Sequence, residues 1–240
     1  MATLVPEMPA EKPGGFAADL AGMGNFFIDP AGAAPRVFSK WFWVGPLVLF
    51  SVASILVSVA LAPLIRHVLE IAPIPPNVTP EQYQTRVEMG LKIQSITVYL
   101  APIFTAALFA IQSAILLGTA SIMSVQTKFR WLFNLIAGCS LIQLLAFLAG
   151  FVIVKAKSDI STMAELRPAL GLDIFLPEGT NKFLAAFLGF FSVFEIWWIV
   201  MLILILSTAF RVSKGKAVAV VLPLVVLSLL FRLGSAAFSQ

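Results

Sequence analysis

Charge is scarce in this 240-residue sequence: 12% of its residues are charged, 60% are hydrophobic, and the mean hydropathy is +0.97. Soluble domains carry roughly 25% charged residues. Half that charge cannot cover a water-exposed surface, so the composition excludes an ordinary soluble domain. The apolar residues are instead grouped in blocks of about 20, the length at which a helix spans a bilayer core. The sequence therefore predicts a polytopic membrane protein.

Residues that commonly carry chemistry are also rare. With one histidine, His67, and one cysteine, Cys139, the chain offers little for a metal site or for nucleophilic catalysis. It contains no Gly-Lys-Ser phosphate loop, His-Glu-x-x-His, Gly-x-Ser-x-Gly or Cys-x-x-Cys motif. No basic stripe with interleaved aromatic residues is present, so nucleic acid is not an expected partner. We predict a protein that is not an enzyme and has no cofactor.

Five apolar blocks account for half of the chain. They show no alternation of period two, which favours helices over a β-barrel. The blocks cover residues 44–64, 96–120, 131–154, 183–210 and 217–238. The predicted fold is all-α, a bundle of five transmembrane helices that forms one membrane domain over residues 44–238.

The residues before the first block form two parts. Residues 1–14 are rich in proline and glycine and are predicted to be disordered. Residues 15–43 are predicted to be an amphipathic segment in the cytoplasmic interface. Phe16, Leu20, Met23 and Phe27 recur at helical spacing, which predicts a short helix, and Pro35 suits the start of the next one. Arg36 and Lys40 would then contact anionic headgroups, while lipid would contact Val37, Phe38, Trp41 and Phe42. The alternative interpretation is a face that docks a partner.

Lysine and arginine near the ends of the blocks predict the orientation. Three segments carry basic residues close to the membrane, and the second and third contain no acid: Arg36 and Lys40; Lys128 and Arg130; Arg211, Lys214 and Lys216. Basic and acidic residues are mixed in the other two loops. We predict an inner-membrane protein with its N-terminus in the cytoplasm and its C-terminus outside.

Two capping boxes occur in the predicted external loops. Thr79-Pro80-Glu81-Gln82 predicts one long helix from about Thr79 to about Ala120, which can bend at Pro102. Thr162 to Glu165 predicts a short interfacial helix that ends at or soon after Pro168.

Small and polar residues within the blocks predict contacts between helices. Ala106, Ala110, Ala114 and Gly118 recur every four residues, and we expect this face to touch another helix of the chain or of a partner. Gln112, Asn134 and Gln143 are interpreted as hydrogen-bonding groups between helices, with a substrate path as the alternative.

Glu195 and Arg232 are charged residues well inside the fourth and fifth blocks. We expect Glu195 near the bilayer midplane and Arg232 closer to the outside. An unpaired charge at that depth costs about 2.5–3.5 kcal/mol on insertion scales. Glu195 is therefore predicted to face the bundle, where it either pairs with Arg232 or forms a hydrogen bond with Gln112, Asn134 or Gln143.

Several stretches in order resemble the bacterial branch of the YIP family, five-span membrane proteins related to eukaryotic Rab-GTPase-interacting proteins. They are "DPAGAAPRVF" with Pro46, "STMAELRPAL", "FSVFEIWWIVMLIL" and "RVSKGKAVAV". The chain departs from the family where Ser192 replaces an aspartate and the carboxylate lies at Glu195. It also lacks the short cytoplasm-facing motif of the eukaryotic branch. The resemblance implies five spans, a cytoplasmic N-terminus and no enzyme activity.

The expected function is that of an integral membrane accessory or scaffold protein in the lipid bilayer. Its expected partner is another membrane component, of which an ABC exporter is the concrete example that the resemblance suggests, or a second copy in a homo-oligomer. One alternative is a small transporter or channel that uses Glu195 and Arg232. Another is a protein that organises lipids.

Overall fold

The computed structural model describes residues 15–74, 76–157, 159–177 and 179–238. In this part of the chain the secondary structure is helical, apart from one isolated bridge between Gly171 and Ser192. The helices are α1 (Phe16–Gly22), α2 (Asn25–Ile28), α3 (Pro30–Val37), α4 (Val44–Ile71), α5 (Pro80–Ile122), α6 (Phe129–Ala156), α7 (Lys182–Phe190), α8 (Val193–Phe210) and α9 (Lys214–Phe238). The disorder predicted for residues 1–14 lies outside the described residues.

Five of these helices, α4, α5, α6, α8 and α9, are long and apolar enough to cross a membrane. The protein is therefore an all-α, multi-pass membrane protein, as its composition predicts. Contacts within the chain divide it into two compact units. Among the described residues, unit 1 contains residues 15–46, Phe109–Leu141 and Ile199–Leu224; unit 2 contains Leu47–Leu108, Ile142–Trp198 and residues 225–238.

The long second span is confirmed. Helix α5 begins at Pro80 and continues through Pro102 to Ile122. Its capping box is formed in both directions: the Gln82 amide donates to Thr79 Oγ1 and the Thr79 amide donates to Gln82 Oε1, each at 3.3 Å. The hydroxyl of Tyr83 donates to the Leu69 carbonyl at 2.8 Å, which ties the start of α5 to the end of α4.

The fourth span is not continuous, which corrects the prediction of one helix over residues 183–210. Helix α7 ends at Phe190, two residues are not helical, and α8 begins at Val193. Ser192 caps the new helix because its Oγ accepts the Glu195 amide at 3.0 Å. The sequence Ser192-Val193-Phe194-Glu195 is a capping-box pattern that an uninterrupted apolar run concealed.

The helix predicted near Thr162 is also absent. Residues 163–166 form a turn, and a 3-10 helix follows at Leu172–Phe175. Glu165 reaches back as a capping residue does, since its carboxylate accepts from the Ser161 amide at 3.0 Å and the Thr162 hydroxyl at 2.9 Å. Pro168 disfavours helical geometry at the residue before it, so there is no room for a full helix.

Candidate functional site

The N-terminal segment forms three short helices, of which α1 and α2 divide the amphipathic helix predicted over residues 16–27 and α3 begins before the start predicted at Pro35. The segment begins a new helix at Pro30, where Asp29 is the N-cap and accepts the Gly32 amide through Oδ1 at 3.0 Å. Proline at the first helical position needs no amide partner, so Asp29-Pro30 is a strong start signal. Pro35, in contrast, lies inside α3.

Most of the apolar residues of this segment are buried within unit 1 and do not face lipid. Phe26 and Phe42 stack with ring centroids 4.9 Å apart, and both are fully buried. The ring of Phe26 occupies the space beside Gly138 on α6, where a Cβ would clash with it. The prediction that Val37, Phe38 and Phe42 contact lipid is therefore wrong. Of the four residues predicted to do so, Trp41 is exposed.

Asn134 on α6 fixes the connection between the N-terminal helices and α4. Its Nδ2 donates to the carbonyls of Val37, at 3.0 Å, and Ser39, at 2.6 Å. Its Oδ1 accepts the Trp43 amide at 3.1 Å. The side chain is fully buried, so these three bonds satisfy backbone groups that water does not reach. Asn134 is thus a hydrogen-bonding group, but to the N-terminal segment and not to another span.

Arg36 also has an internal partner, which corrects its assignment to lipid headgroups. Its Nη1 lies 3.5 Å from Oδ1 of Asp19, a residue that is 3% exposed. The second carboxylate oxygen of Asp19 accepts the Ser39 hydroxyl at 2.6 Å. These contacts hold α1 against the end of α3. No sequence motif identified Asp19, because it is an isolated acid in an apolar helix.

Aromatic side chains bring three basic segments to one end of unit 1. The ring centroid of Phe38 lies 5.1 Å from that of Trp131 and 5.9 Å from that of Phe210. Lys128 Nζ lies 4.9 Å from the centre of the Trp131 ring. Lys216 Nζ donates to the Ser124 carbonyl at 3.4 Å, which links the start of α9 to the loop between α5 and α6.

We call this end of unit 1 the basic platform. It is defined by Lys40, Trp41, Lys128, Arg211, Lys214 and Lys216. Lys40 lies 5.4 Å from the Trp41 ring centre, and both residues are exposed, as are Arg211 and Lys214. The loops that the sequence assigns to the cytoplasm therefore converge in space.

Glu195 lies in the first turn of α8 and is partly buried within unit 2. Gln143 Nε2 donates to its Oε2 at 2.8 Å, so one of the polar partners predicted for Glu195 is present. The start of a helix is also favourable for a carboxylate, because unpaired amides give it a partial positive charge. The carboxylate of Glu195 is therefore compatible with the apolar residues around it, because it lies at the start of helix α8.

Arg232 contributes to the same region of unit 2 without a direct ion pair. Among the described residues no carboxylate oxygen is within 4.0 Å of its guanidinium nitrogens. The position of a Cβ on Gly189 would be 2.6 Å from Arg232 Nη2 and 2.8 Å from Asp173 Oδ2. Arg232 and Asp173 therefore flank the bare backbone of Gly189, next to the break between α7 and α8.

Glu195 and Arg232 are each about 15 residues along their helices when counted from Phe210 and from Ala217, or roughly 22 Å. The depths expected for them, near the bilayer midplane for Glu195 and closer to the outside for Arg232, stay predictions.

Two further groups of predicted residues do not come together with this cluster. Gln112 is partly exposed and has no hydrogen-bond partner among the described residues. The buried face of α5 consists of Phe109, Ser113, Leu116 and Ala120. Ala106 and Ala110 are half-buried, whereas Ala114 and Gly118 are exposed, with open space beside Gly118. A further helix that contacts Ala114 and Gly118 would have to belong to a partner.

No group of three or more His, Cys, Asp or Glu side chains arranged to hold a metal ion occurs in the described part of the chain. Comparison with protein families, curated proteins and solved structures gives no match. The resemblance to the YIP family thus remains a prediction that rests on its motifs.

Proposed function

We propose that the protein is a non-enzymatic accessory subunit of the inner membrane that binds an acidic cytoplasmic surface of another membrane protein through the basic platform. A YIP-type partner of an ABC exporter is the concrete form of this proposal. The observation that carries it is the rigid attachment of the N-terminal segment to α6. Without the three bonds of Asn134, Lys40 and Trp41 would belong to a loose tail.

The composition of the platform suits protein recognition. Tryptophan and arginine dominate the binding energy of many interfaces, and here an exposed Trp41 lies among cations. Complementary charge speeds encounter and rejects partners of like charge. Because Phe38, Trp131 and Phe210 pack together, the cations would keep their spacing before the partner arrives. Such preorganisation reduces the entropy lost on binding.

Purification with a bound partner tests the proposal. The double variant Lys40→Glu and Arg211→Glu reverses two exposed platform charges and should abolish co-purification of a stoichiometric membrane protein in mild detergent. The matched control, Lys92→Glu, reverses an exposed charge on α5 away from the platform and should retain the partner. Equal recovery of the partner with both variants would contradict the proposal.

A second candidate function is favoured by the broken fourth span. Discontinuous helices with polar groups at the break are a common basis of substrate and ion sites in transporters. Glu195, Arg232 and Asp173 surround such a break, and Gln143 orients the carboxylate of Glu195. Reconstitution in liposomes tests this candidate: proton or cation flux that Glu195→Gln eliminates would support it. If the flux into liposomes with the wild-type protein equals the flux into protein-free liposomes, the transporter function is excluded.

A further inference from the structure

An elongated groove lies between α4 and α5 within unit 2. Its inner part is a cavity of about 420 Å³, and its outer part is a cavity of about 510 Å³. Arg66 and Leu91 line both parts, so the two cavities adjoin. Each volume is within the range of small-molecule sites, about 300–1,000 Å³.

The inner part of the groove is apolar and has the length of one membrane leaflet. Along α4 it extends from Ile55 to Arg66, and it includes Val59, Ala62 and Pro63. Eleven residues of helix rise about 16 Å. Half of a bilayer core is about 15 Å thick. The cavity therefore matches an extended hydrocarbon chain that enters from one side of the bilayer.

The charges of the groove have a definite order. Arg66 lies at the junction of the two cavities, and two carboxylates, those of Glu70 and Glu88, line only the outer one. Arg66 Nε is paired with Glu70 Oε1 at 2.9 Å. Arg66 has no further ion pair among the described residues, so its two Nη groups are available. From the apolar end outwards, the groove thus presents hydrocarbon, then a cation, then two anions.

We infer that the groove binds one phospholipid with an amine-bearing headgroup, of the phosphatidylethanolamine class. An acyl chain would fill the inner cavity. The phosphate would accept hydrogen bonds from Arg66, for which a guanidinium is well suited. The ammonium would donate to Glu70 and Glu88 in the outer cavity. An anionic headgroup without an amine would meet the same two carboxylates unfavourably, which distinguishes the lipid classes.

Native mass spectrometry of the full chain in dodecylmaltoside tests the site. Dioleoylphosphatidylethanolamine, dioleoylphosphatidylglycerol and dioleoylphosphatidylcholine are added separately, and the lipid-bound fraction is measured. We expect one ethanolamine lipid to bind at least about tenfold more tightly than either of the others, because only it offers charge-assisted hydrogen bonds to the carboxylates.

Substitutions test the inner cavity, the Arg66 guanidinium and the Glu88 carboxylate of the groove separately. Ala62→Trp fills the inner cavity and should abolish binding, whereas Leu56→Trp, on an exposed face of α4 outside the groove, should not. Arg66→Gln should weaken binding of the ethanolamine lipid by about tenfold or more. Glu88→Gln should reduce the preference of the protein for the ethanolamine lipid over the glycerol lipid. Lys92→Gln should change neither the affinity for the ethanolamine lipid nor this preference.

Equal affinity for the three lipids would overturn the inference, and so would unchanged binding by Ala62→Trp. If Ala62→Trp does not fold, Arg66→Gln and Glu88→Gln decide the question, since both residues are exposed and contribute little to packing. Wild-type affinity and selectivity in both of them would exclude the site.

Discussion

At the scale of single residues, polar side chains in this protein form hydrogen bonds with backbone groups or with other side chains that water does not reach. Asn134 binds three backbone groups, and Gln143 binds the carboxylate of Glu195. Both residues are amides, which can donate and accept at once. A buried polar group costs free energy mainly when it loses its partner, so each of these residues should be sensitive to truncation.

Asn134→Ala should detach the N-terminal segment from α6. The substitution leaves the carbonyls of Val37 and Ser39 and the amide of Trp43 without their bonds, at a cost of about 3 kcal/mol. Limited proteolysis in detergent should then cut near residues 38–43, and the thermal midpoint should fall. Gln112→Ala is the matched control, because Gln112 has no hydrogen-bond partner among the described residues. Equal resistance of both variants to proteolysis would contradict this role for Asn134.

Replacement of Glu195 should distinguish hydrogen bonding from charge. Glutamine keeps an oxygen that can accept from Gln143, so Glu195→Gln should retain most of the stability in detergent. Leucine cannot accept, and Glu195→Leu should lose about 1–3 kcal/mol because Gln143 is left unpaired. If Glu195→Gln is as damaging as Glu195→Leu, the charge interacts with Arg232 more strongly than the geometry indicates. Arg232→Leu should then partly rescue Glu195→Gln.

At the scale of elements, the main feature is the junction of the second external loop with the broken fourth span. Gly171 pairs with Ser192 in the isolated bridge, and its amide donates to Asp173 Oδ1 at 3.0 Å. A Cβ on Gly171 would be 2.6 Å from the Gly189 carbonyl oxygen. Two glycines thus allow loop and helix backbones to approach closely.

Gly171→Ala should therefore disturb this junction. The clash is with backbone, which cannot move aside as a side chain can, so we expect a loss of about 1–3 kcal/mol, the usual cost of overpacking. Hydrogen exchange should rise at the end of α7. Gly234→Ala provides the control: that position is helical and open, and alanine favours helix by about 1 kcal/mol. No difference between the two variants would show that the loop adjusts freely.

The turn at residues 161–167 should depend on pH. Hydrogen bonds from the Ser161 amide and then the Thr162 hydroxyl lower the pKa of Glu165 below its usual value of about 4.3. Because the folded pKa is the lower one, the contribution to the turn is complete above the usual value and is lost as pH falls through the lowered one. Protection of the Arg167 amide, corrected for intrinsic exchange, should follow this course. Glu165→Gln should show no such pH dependence.

The elements differ in how far the sequence predicts them. Long apolar blocks and the capping box at Thr79 predicted α5 almost to the residue, because helix formation there needs only local signals. The break at Ser192 was missed because hydropathy hides a capping signal inside an apolar run. The burial of Phe38 and Phe42 was missed for another reason. Their partners are distant in sequence, and an apolar residue near a span fits lipid and protein equally well.

At the scale of the whole molecule, the five candidate spans are an odd number, which predicts that α1 and the end of α9 lie on opposite sides of the membrane. The convergence of the basic segments in unit 1 agrees with a common side for the loops before α6 and α9. The charge rule predicts that this side is the cytoplasm. The groove proposed for a phospholipid would then open to the outer leaflet.

Labelling of single cysteines tests this orientation. In a Cys139→Ala background, a membrane-impermeant maleimide should label Glu81→Cys and Thr162→Cys in intact spheroplasts. Lys40→Cys and Lys214→Cys should react only after the membrane is opened. The four sites are exposed, so differences in reactivity report the side of the membrane. The reverse pattern would invert the topology and move the basic platform outside.

The packing of the N-terminal segment on α6 and α8 also determines the order in which its contacts can form during synthesis. Phe38 is made early, yet it packs on Trp131 and on Phe210, the last residue of α8. At about 5–20 residues per second, the ribosome needs roughly 10–35 s to reach Phe210 after Phe38. For that time Phe38 lacks one of its native partners. Until the fourth span is inserted, the part of Phe38 that packs on Phe210 must be covered by the lipid interface or by a chaperone.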